Sequence, residues 1–460
     1  MSLRGARLHF VGAGGAGMCG LAELAAARGA VVTASDAQEG ASFRRLRTVG
    51  VETFPPGHRT EHVRGAAVVV YTSACAPDHV ELTAARAAGA RLVRRAEFLA
   101  ECARGRRLIA VAGAHGKTTT TAMIGAALTA AGLDPTVVVG GALRATGSNV
   151  RVSGGAWFVA EADEYDRSFL ALTPEIAVVN NLDREHLDVY RDMDDLRAAF
   201  AAFASKAGPS GRVLLGVDDA EARALRGRLE APTSGFGTAA DADVRAVEVR
   251  LLGAGATFRV VRDGVDLGAA TLRVPGVHNV RNAAGALAAA LAAGAPFAPA
   301  AAGLAAFDGV GRRFEELGER DGVRVVDDYA HHPTEIAATL AAARAAAPER
   351  RLVAVFQPHL FSRTRDLAAD FAAALSGADA VILAPIYGAR EAPLDGVTSS
   401  LVAAAPGLAG VPTTVVDARP RLLHALRAAA RPGDLLLLMG AGDLRAAGEA
   451  FAAGREEEGE

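Results

Sequence analysis

A short apolar run, a glycine-containing turn and a lysine followed by threonines stand in order in IAVAGAHGKTTTT, from Ile109 to Thr121. This order is typical of a β-strand that passes through a phosphate-binding turn into the N-terminus of an α-helix. The common pattern G-x-x-x-x-G-K-[ST] would place glycine where Val111 stands, so the match is incomplete. The chemistry still predicts a nucleotide site, because backbone N–H groups and Lys117 suit phosphate oxygens and Thr118 offers a hydroxyl ligand to Mg²⁺.

Strand-like runs alternate with Ala- and Leu-rich helical runs along almost the whole chain. This alternation favours an α/β fold with parallel sheets and crossover helices. The length of 460 residues exceeds what one hydrophobic core usually serves, so we expect three domains. The basic stretch 104–107 is predicted to link the first two, and FDGVGRRFEELG to open the third. Residues 244–274 are expected to form a more antiparallel insertion.

Acidic residues follow two apolar runs downstream of the phosphate turn, in AEADEYDRSF and NNLDREHLD. Mg²⁺ takes oxygen ligands, and a nucleotide site gathers them at the ends of neighbouring strands. The alternative interpretation is that these acidic residues are ordinary solvated charges in loops. Two clusters, each directly after an apolar run and downstream of the phosphate turn, make this alternative less attractive. The candidate side chains are Glu161, Asp163, Glu164, Asp183, Glu185, His186 and Asp188.

A second glycine turn lies near the N-terminus, where Gly12, Gly14 and Gly17 fit G-x-G-x-x-G between a strand and a helix. Asp36 ends the next strand about 20 residues on, as in dinucleotide-binding folds. Alone this pattern suggests NAD, but what it requires is only diphosphate recognition, which a UDP group would satisfy equally. Glycines kept for a tight turn and close packing are the structural alternative.

The last third of the chain carries DDYAHHPTE and FQPHLFSRTRD. One interpretation is that Asp327, Asp328 and the histidines face a reacting carboxylate or amine. The other is that His331 and His332 only cap a helix that begins at the following proline. Arginine is well shaped for carboxylate and phosphate, so Arg363 is a candidate anion contact.

Net charge and cysteine usage argue against several classes of protein. A net charge of −3 gives no excess of positive charge that would bind nucleic acid or an anionic membrane. Three separated cysteines without a C-x-x-C pair predict neither a disulfide framework nor a cysteine-ligated zinc site, and they suit a reducing compartment. No secretory signal pattern is seen, and the Ala-rich run 283–307 is expected to be a soluble helix. We therefore expect a cytoplasmic protein.

Taken together, these segments resemble the Mur ligase family, most closely its members that join L-alanine to UDP-N-acetylmuramate. The resemblance spans nearly the whole chain. The motifs, in family order, are VGAGGAGMCGLAEL, GAHGKTTTTAM, AEADEYDRSFL, NNLDREHLDVY, PGVHNVRNAAGAL, GVGRRFEELG, DDYAHHPTEI, FQPHLFSRTRDL and MGAGDL. The resemblance implies three domains. They are an N-terminal Rossmann-like UDP-sugar domain in residues 1–105, a central P-loop ATPase domain in residues 106–308, and a C-terminal Rossmann-like domain in residues 309–460.

The resemblance also implies roles for individual residues. The predicted ATP contacts are Gly113, Ala114, His115, Gly116, Lys117, Thr118, Thr119, His278, Asn279, Asn282 and Arg312. The predicted UDP-sugar contacts are Gly12, Gly14, Gly15, Ala16, Gly17, Asp36, Thr72 and Ser73. The implied Mg²⁺ ligands are Thr118, Glu161 and His186, and His359 and Arg363 are assigned to the amino acid or carboxylate. The predicted catalytic set is Lys117, Arg312, Asp327, His331 and His332.

Three positions depart from the family pattern. Ala114 replaces a threonine of the phosphate turn, Glu185 replaces an aspartate before His186, and Leu360 replaces an arginine after the Gln-Pro-His segment. Related ligases carry a carbamylated lysine after the metal histidine, but YRDMDDLRAAFAAF has no lysine. We therefore predict no such modification.

The implied reaction is ATP-driven amide formation through an acyl phosphate, giving ADP and phosphate in peptidoglycan precursor synthesis. The implied partners are ATP, UDP-N-acetylmuramate and L-alanine, without nucleic acid or membrane insertion, and the chain is expected to be a monomer or weak homodimer. Three alternatives stay open at this point: a tripeptide-adding ligase of cell-wall recycling, an NAD-dependent oxidoreductase, and a catalytically silent nucleotide-binding protein.

Overall fold

A computed structural model describes residues 3–185, 189–389 and 391–455. Its strands form a 5-stranded, a 10-stranded and a 6-stranded sheet. Helices alternate with the strands, so the predicted α/β class is confirmed.

The N-terminal sheet is parallel throughout, in the order β3-β2-β1-β4-β5. Its strands are β1 Arg7–Val11, β2 Val31–Ser35, β3 Glu52–Thr53, β4 Val68–Tyr71 and β5 Arg91–Arg94. The order reverses beside β1, and ligands of open α/β sheets bind at the carboxyl ends of strands at such a point. The glycine turn that follows β1 lies there.

The 10-stranded sheet has the order β15-β14-β13-β12-β11-β10-β6-β9-β7-β8. Its strands are β6 Arg107–Ala112, β7 Thr136–Val138, β8 Val150–Arg151, β9 Trp157–Glu161, β10 Ile176–Val179, β11 Arg212–Gly216, β12 Thr233–Gly237, β13 Val244–Leu252, β14 Gly255–Arg262 and β15 Val265–Leu272. The strands from β9 through β6 and β10 to β13 pair in parallel. The last three strands are sequential neighbours joined by very short turns, which only antiparallel strands allow. The predicted antiparallel insertion is thereby confirmed.

The 6-stranded sheet has the order β16-β17-β21-β18-β19-β20. Its strands are β16 Glu315–Arg320, β17 Val323–Asp328, β18 Leu352–Phe356, β19 Ala380–Leu383, β20 Thr413–Val415 and β21 Leu435–Met439. Only the β16–β17 pair is antiparallel among these. Strand β21 is central and fully buried, which explains its unbroken apolar sequence LLLLM.

The helices fill the connections between strands. They are α1 Ala16–Ala27, α2 Ala41–Thr48, α3 Val80–Ala87, α4 Arg95–Ala103, α5 Lys117–Ala130, α6 Met193–Ser205, α7 Ala220–Ala224, α8 Val277–Ala292, α9 Phe297–Ala306, α10 Pro333–Ala346, α11 Phe361–Leu375, α12 Ser400–Ala403, α13 Leu422–Ala429 and α14 Arg445–Ala453. Short 3₁₀ helices occur at Thr60–Val63, Tyr165–Ala171, Leu225–Arg228, Pro406–Leu408 and Arg419–Arg421. Within the described ranges, no helix combines the length and apolarity needed to cross a membrane.

The chain divides into two compact units. The first runs to Glu248 and adds Phe258–Thr271 and Val280–Val310; the second comprises Val249–Thr257, Leu272–Asn279 and the residues from Gly311 onwards. The cysteines at positions 19, 75 and 102 are free, as predicted.

Candidate functional site

The phosphate turn leaves room for glycine alone at two positions. Gly113 and Gly116 have φ values of +142° and +78°. A Cβ on Gly113 would lie 2.9 Å from the Asn180 Cβ, and one on Gly116 would lie 2.5 Å from the Asn282 Oδ1. Helix α5 begins at Lys117 directly after the turn, so the predicted strand, turn and helix are confirmed.

The ammonium group of Lys117 lies within the turn. Its Nζ donates to the carbonyl oxygens of Gly113 at 2.5 Å and Ala114 at 3.1 Å, and it lies 2.9 Å from the Glu164 Oε1. Burial alone would lower the pKa of Lys117, but the carboxylates of Glu164 and Asp163 outweigh burial and raise it. Lys117 is therefore a fixed cation at the start of a helix, where anions are favoured.

Asn181 binds part of the turn's backbone. Its carbonyl oxygen accepts from the Ala114 N–H at 3.2 Å, and its Oδ1 accepts from the His115 N–H at 2.8 Å. The first N–H groups of an α-helix have no partner inside the helix. The N–H groups of the first turn of α5, including those of Thr118 and Thr119, are therefore the candidate donors to an anion.

An oxygen-lined position adjoins the start of α5. The Thr118 Oγ1 donates to the Glu161 Oε2 at 2.9 Å, and the Gly140 N–H donates to the same oxygen at 2.8 Å. A Cβ on Gly140 would lie 2.5 Å from that oxygen, so the carboxylate fits only against glycine. A hydroxyl and a carboxylate side by side are ligands that suit Mg²⁺. His186, the third predicted ligand, lies outside the described residues.

The N-terminal glycine turn is tied to the end of β2. Gly12, at φ +76°, and Ala13 donate their N–H groups to the Ser35 carbonyl at 2.9 and 3.0 Å. The Gly14 N–H donates to the Asp36 Oδ2 at 2.7 Å. Asp36 therefore holds the loop in shape, and helix α1 follows with its N-terminus open to an anion.

An arginine that sequence reasoning missed lies beside this turn. A Cβ on Gly17 would lie 3.0 Å from the Arg95 Nη1, and the Arg95 Nη2 pairs with the Asp163 Oδ2 at 2.8 Å. Arg95 thus links the glycine turn to the acidic segment after β9. The adjacent cavity is lined by Ser73, Arg94, Arg95, Tyr165, Asp166 and Arg167.

The backbone is strained at this cavity. Asp166 and Arg167 have φ values of +50° and +60°, in the left-handed region that favours glycine. Strain of this kind concentrates where a chain binds ligands. The sequence signal that was available for Arg95 is its place at the start of α4, immediately after β5.

In the second unit, Arg312 and Asp327 face one another. Arg312 donates to the Gly440 carbonyl at 2.7 Å, and its Nε lies 3.5 Å from the Asp327 Oδ2. Asp327 is 1% exposed. Burial raises the pKa of Asp327 to about 6, although the guanidinium groups of Arg312 and Arg445 each pull it down. Arg312 itself has a φ of +59°.

The histidines of the second unit lie close together. The rings of His331 and His359 are 5.8 Å apart, and His359 stacks on Tyr387 with centroids 5.9 Å apart. The His331 Nδ1 is 2.9 Å from the Tyr329 carbonyl. His332 is buried and occupies the N-cap position of α10, but its side chain makes no capping hydrogen bond.

The remaining predicted contacts lie on two helices. Arg363 falls in the first turn of α11 and is half-buried. Asn279 and Asn282 are buried in α8, and the Asn279 Nδ2 donates to the Pro275 carbonyl at 2.7 Å. His278 packs against Gly276, whose added Cβ would lie 2.5 Å from the His278 Cε1.

Comparison with known sequences matches the chain in three consecutive pieces. Residues 7–107 match the domain described as "Mur ligase family, catalytic domain", residues 111–290 match "Mur ligase middle domain", and residues 312–442 match "Mur ligase, glutamate ligase domain". The UDP-N-acetylmuramate–L-alanine ligase of Geobacter sp. (strain M21) is 45% identical over 444 residues, which cover 96% of each chain. The chain belongs to the Mur ligase family.

Solved Mur ligase structures share this fold. The UDP-N-acetylmuramate-alanine ligase of Thermotoga maritima superposes with a TM-score of 0.83 at 27% identity, covering 97% of this chain and 98% of that one. A murein peptide ligase from Psychrobacter arcticus gives a TM-score of 0.74 at 26% identity, covering 98% and 99%. The UDP-N-acetylmuramate–L-alanine ligase of Salinibacter ruber is 44% identical over 455 residues, 98% of this chain and 96% of that one. The chain has the three-domain α/β fold of Mur ligases.

The three positions that the sequence resemblance marks as departures have definite surroundings. Ala114 contributes its backbone N–H to Asn181, so the replaced threonine side chain is not needed to shape the turn. Glu185 is buried, and its N–H donates to the Asp183 carbonyl at 2.8 Å. Leu360 precedes α11 at a φ of +70°, which is strained for a leucine.

Proposed function

We propose that this Mur ligase joins L-alanine to the lactyl carboxylate of UDP-N-acetylmuramate, converting ATP to ADP and phosphate. The observation that carries the proposal is the presence of two phosphate-type glycine turns in one unit, connected through the Arg95–Asp163 ion pair. One turn accounts for ATP and the other for the diphosphate of the acceptor. The relatives that align over nearly the full chain are named for this reaction.

The phosphate turn, residues 113–116, is proposed to bind ATP. The N–H groups of the first turn of α5 and the ammonium of Lys117 hold the phosphates, and Arg312 adds a second cation. Thr118 and Glu161 would hold Mg²⁺, with His186 as the predicted third ligand. When bound, the ion supplies neutralisation of charge on the transferring phosphoryl group. The adenine contacts are proposed for His278, Asn279 and Asn282.

The N-terminal turn is proposed to bind the acceptor. The start of α1 takes the diphosphate, and the segment Thr72–Ser73 contacts the nucleoside or sugar. A Cβ on Gly12 would lie 3.4 Å from the Thr72 Cγ2, which supports placing that segment at the turn. The Asp36 carboxylate already accepts the Gly14 N–H, so an NAD ribose would compete with an existing bond. Diphosphate recognition does not require that bond to break.

The reaction divides into activation and aminolysis. The lactyl carboxylate attacks the γ-phosphorus, which gives an acyl phosphate and ADP. The neutral amine of L-alanine then attacks the acyl carbon, and the tetrahedral intermediate expels phosphate. A carboxylate lacks a leaving group, and phosphorylation supplies one.

The second unit is proposed to handle the amino acid. The amine must lose a proton before it attacks, so a base is required, and Asp327, His331 and His332 are the candidates. A carboxyl pKa of about 6 leaves Asp327 ionised at neutral pH, which supports it as the acceptor. His359 and Arg363 are proposed to orient the carboxylates.

We also propose domain boundaries that divide the chain into residues 1–105, 106–308 and 309–460. The protein works in the cytoplasm as a monomer or weak homodimer, without nucleic acid. The tripeptide-adding alternative is not favoured, because the curated relatives at 44–45% identity carry the L-alanine name.

The test is phosphate release measured with ATP, Mg²⁺, UDP-N-acetylmuramate and a panel of L-alanine, glycine, L-serine and the L-Ala-γ-D-Glu-diaminopimelate tripeptide. The expected result is release that requires both the acceptor and L-alanine. Release that requires the tripeptide would replace the proposal with the recycling activity. NADH oxidation without ATP turnover would overturn it altogether.

A further inference from the structure

A buried carboxylate in the N-terminal domain is surrounded by histidines. Glu81, in the first turn of α3, is fully buried. Its Oε1 lies 2.7 Å from the His62 Nδ1 and accepts from the Arg59 N–H at 3.4 Å. Its Oε2 accepts from the Ser35 Oγ at 2.7 Å and lies 3.2 Å from the His58 Nδ1.

His79 completes the cluster. The rings of His58 and His79 meet edge to face, with centroids 4.5 Å apart. One ligand atom from each of His58, His79 and Glu81 lies within 4.8 Å of the other two. Among the described residues, the buried His79 Nδ1 has no hydrogen-bond partner. Three ligand atoms at this spacing are close enough together to approach one metal ion.

The charge of the cluster also favours a cation. In the part of the chain that the structure describes, the ion-pair partners of Glu81 are His9, His58 and His62, with no lysine or arginine side chain among them. Buried charges in proteins are paired with opposite charges or coordinate metal ions, so a bound cation would be favoured beside Glu81.

We propose that His58, His79 and Glu81 form a binding site for a divalent cation of the Zn²⁺ class, separate from the Mg²⁺ position at Thr118 and Glu161. Two imidazoles and one carboxylate are a ligand set that zinc accepts, with a fourth position left for water or a ligand. Mg²⁺ prefers oxygen ligands, so a set with two imidazoles favours a cation of the Zn²⁺ class over Mg²⁺.

Neighbouring groups hold the ligands in place. His62 binds the second oxygen of Glu81 and stacks on Phe54, with centroids 4.2 Å apart and planes at 3°. Outer partners of this kind orient metal ligands. Ser35, which binds Glu81, also accepts the Gly12 N–H through its carbonyl oxygen. The site therefore adjoins the proposed acceptor turn.

The test is isothermal titration of the metal-free full chain with Zn²⁺, in buffer containing excess Mg²⁺ to block oxygen-only sites. The expected result is one equivalent bound that His79→Asn and Glu81→Gln each weaken by at least about 10-fold, the lower end of what loss of an outer partner costs. The matched control is His424→Asn, which changes an exposed histidine on α13 and leaves the affinity unchanged.

A spectroscopic measurement separates coordination from a structural role. Co²⁺ bound in place of Zn²⁺ is expected to show d–d absorption of four-coordinate intensity in the wild type and in His424→Asn, and to lose it in His79→Asn. Thermal melting of metal-free His79→Asn checks that the variant folds. Absence of a bound equivalent, or a bound equivalent that His79→Asn leaves intact, would overturn the proposal.

Discussion

The buried Asp327 makes a sharp prediction about stability and pH. Its side chain is 1% exposed, with Oδ2 3.3 Å from the Arg445 Nη1 and 3.5 Å from the Arg312 Nε. Burial outweighs both arginines and raises the pKa from 3.8 to about 6. We predict that Asp327→Asn stabilises the second unit at neutral pH while it impairs the reaction.

The magnitude follows from the pKa difference. A rise from 3.8 to about 6 corresponds to roughly 3 kcal/mol, at about 1.4 kcal/mol per pKa unit. Because the folded pKa lies above the unfolded one, the neutral form is favoured in the folded state. The stability that this gives is present below about pH 4 and is lost as pH rises through about 6. Asparagine does not ionise, so the Asp327→Asn variant keeps this stability at neutral pH.

The assay must report on the second unit. The chain's one tryptophan, Trp157, lies in β9 of the first unit, so its fluorescence does not serve. Hydrogen exchange of the β17 amides, measured by mass spectrometry between about pH 4 and 7.5, gives the opening free energy of the strand that holds Asp327. The expected difference between variant and wild type is near zero at the acid end and up to about 3 kcal/mol at neutral pH.

Two results would refute this reasoning. One is a variant that opens more readily than the wild type at neutral pH, which would mean that the ion pairs outweigh burial. The other is a difference that does not change with pH. Activity gives the second half of the prediction: Asp327→Asn should slow amide formation while acyl-phosphate formation continues, since only the amine step needs the base.

Three other substitutions give distinct outcomes. Lys117→Met removes the ammonium that pairs with the buried Glu164 and should lower the unfolding free energy by about 3–5 kcal/mol, whereas Lys117→Met combined with Glu164→Gln should recover stability in a urea titration but not ADP formation. Gly113→Ala should lower both soluble yield and ATP turnover, because its φ of +142° and the Asn180 Cβ at 2.9 Å exclude a methyl group; wild-type turnover would contradict this. Ala114→Thr should change kcat/KM by less than about 3-fold, since loss of a hydrogen bond of about 1 kcal/mol sets the scale, and a larger change in steady-state assays would show that the missing hydroxyl matters.

The sequence predicts the strand, turn and helix of the phosphate site well, because these elements depend on residues that are neighbours in the chain. Glycines that require positive φ and a lysine at a helix start are visible in GAHGKT, and the structure places strand, turn and helix there. The alternation of apolar and Ala-rich runs predicts the α/β class, because each strand or helix pattern is also contained in one short segment. The antiparallel strands after Val244 follow from short glycine turns that leave no length for a crossover.

What the sequence does not reveal depends on contacts between distant segments. Asn181 binds the phosphate turn and Arg95 reaches the Gly17 turn and Asp163, yet each is an ordinary polar residue in its own segment. Position in the chain was the available sequence signal, because Asn181 and Arg95 each follow the end of a parallel strand. The histidines around Glu81 come from separate strands and loops, so their convergence appears only in the fold.

The central claim is that ATP activates the acceptor carboxylate as an acyl phosphate. The direct measurement uses UDP-N-acetylmuramate labelled with ¹⁸O in both lactyl carboxylate oxygens, incubated with ATP, Mg²⁺, L-alanine and the protein, followed by mass spectrometry of the released phosphate. One ¹⁸O atom is expected in each phosphate, and the other is expected to remain in the amide product. Phosphate that carries no ¹⁸O while the L-alanyl product accumulates would contradict it.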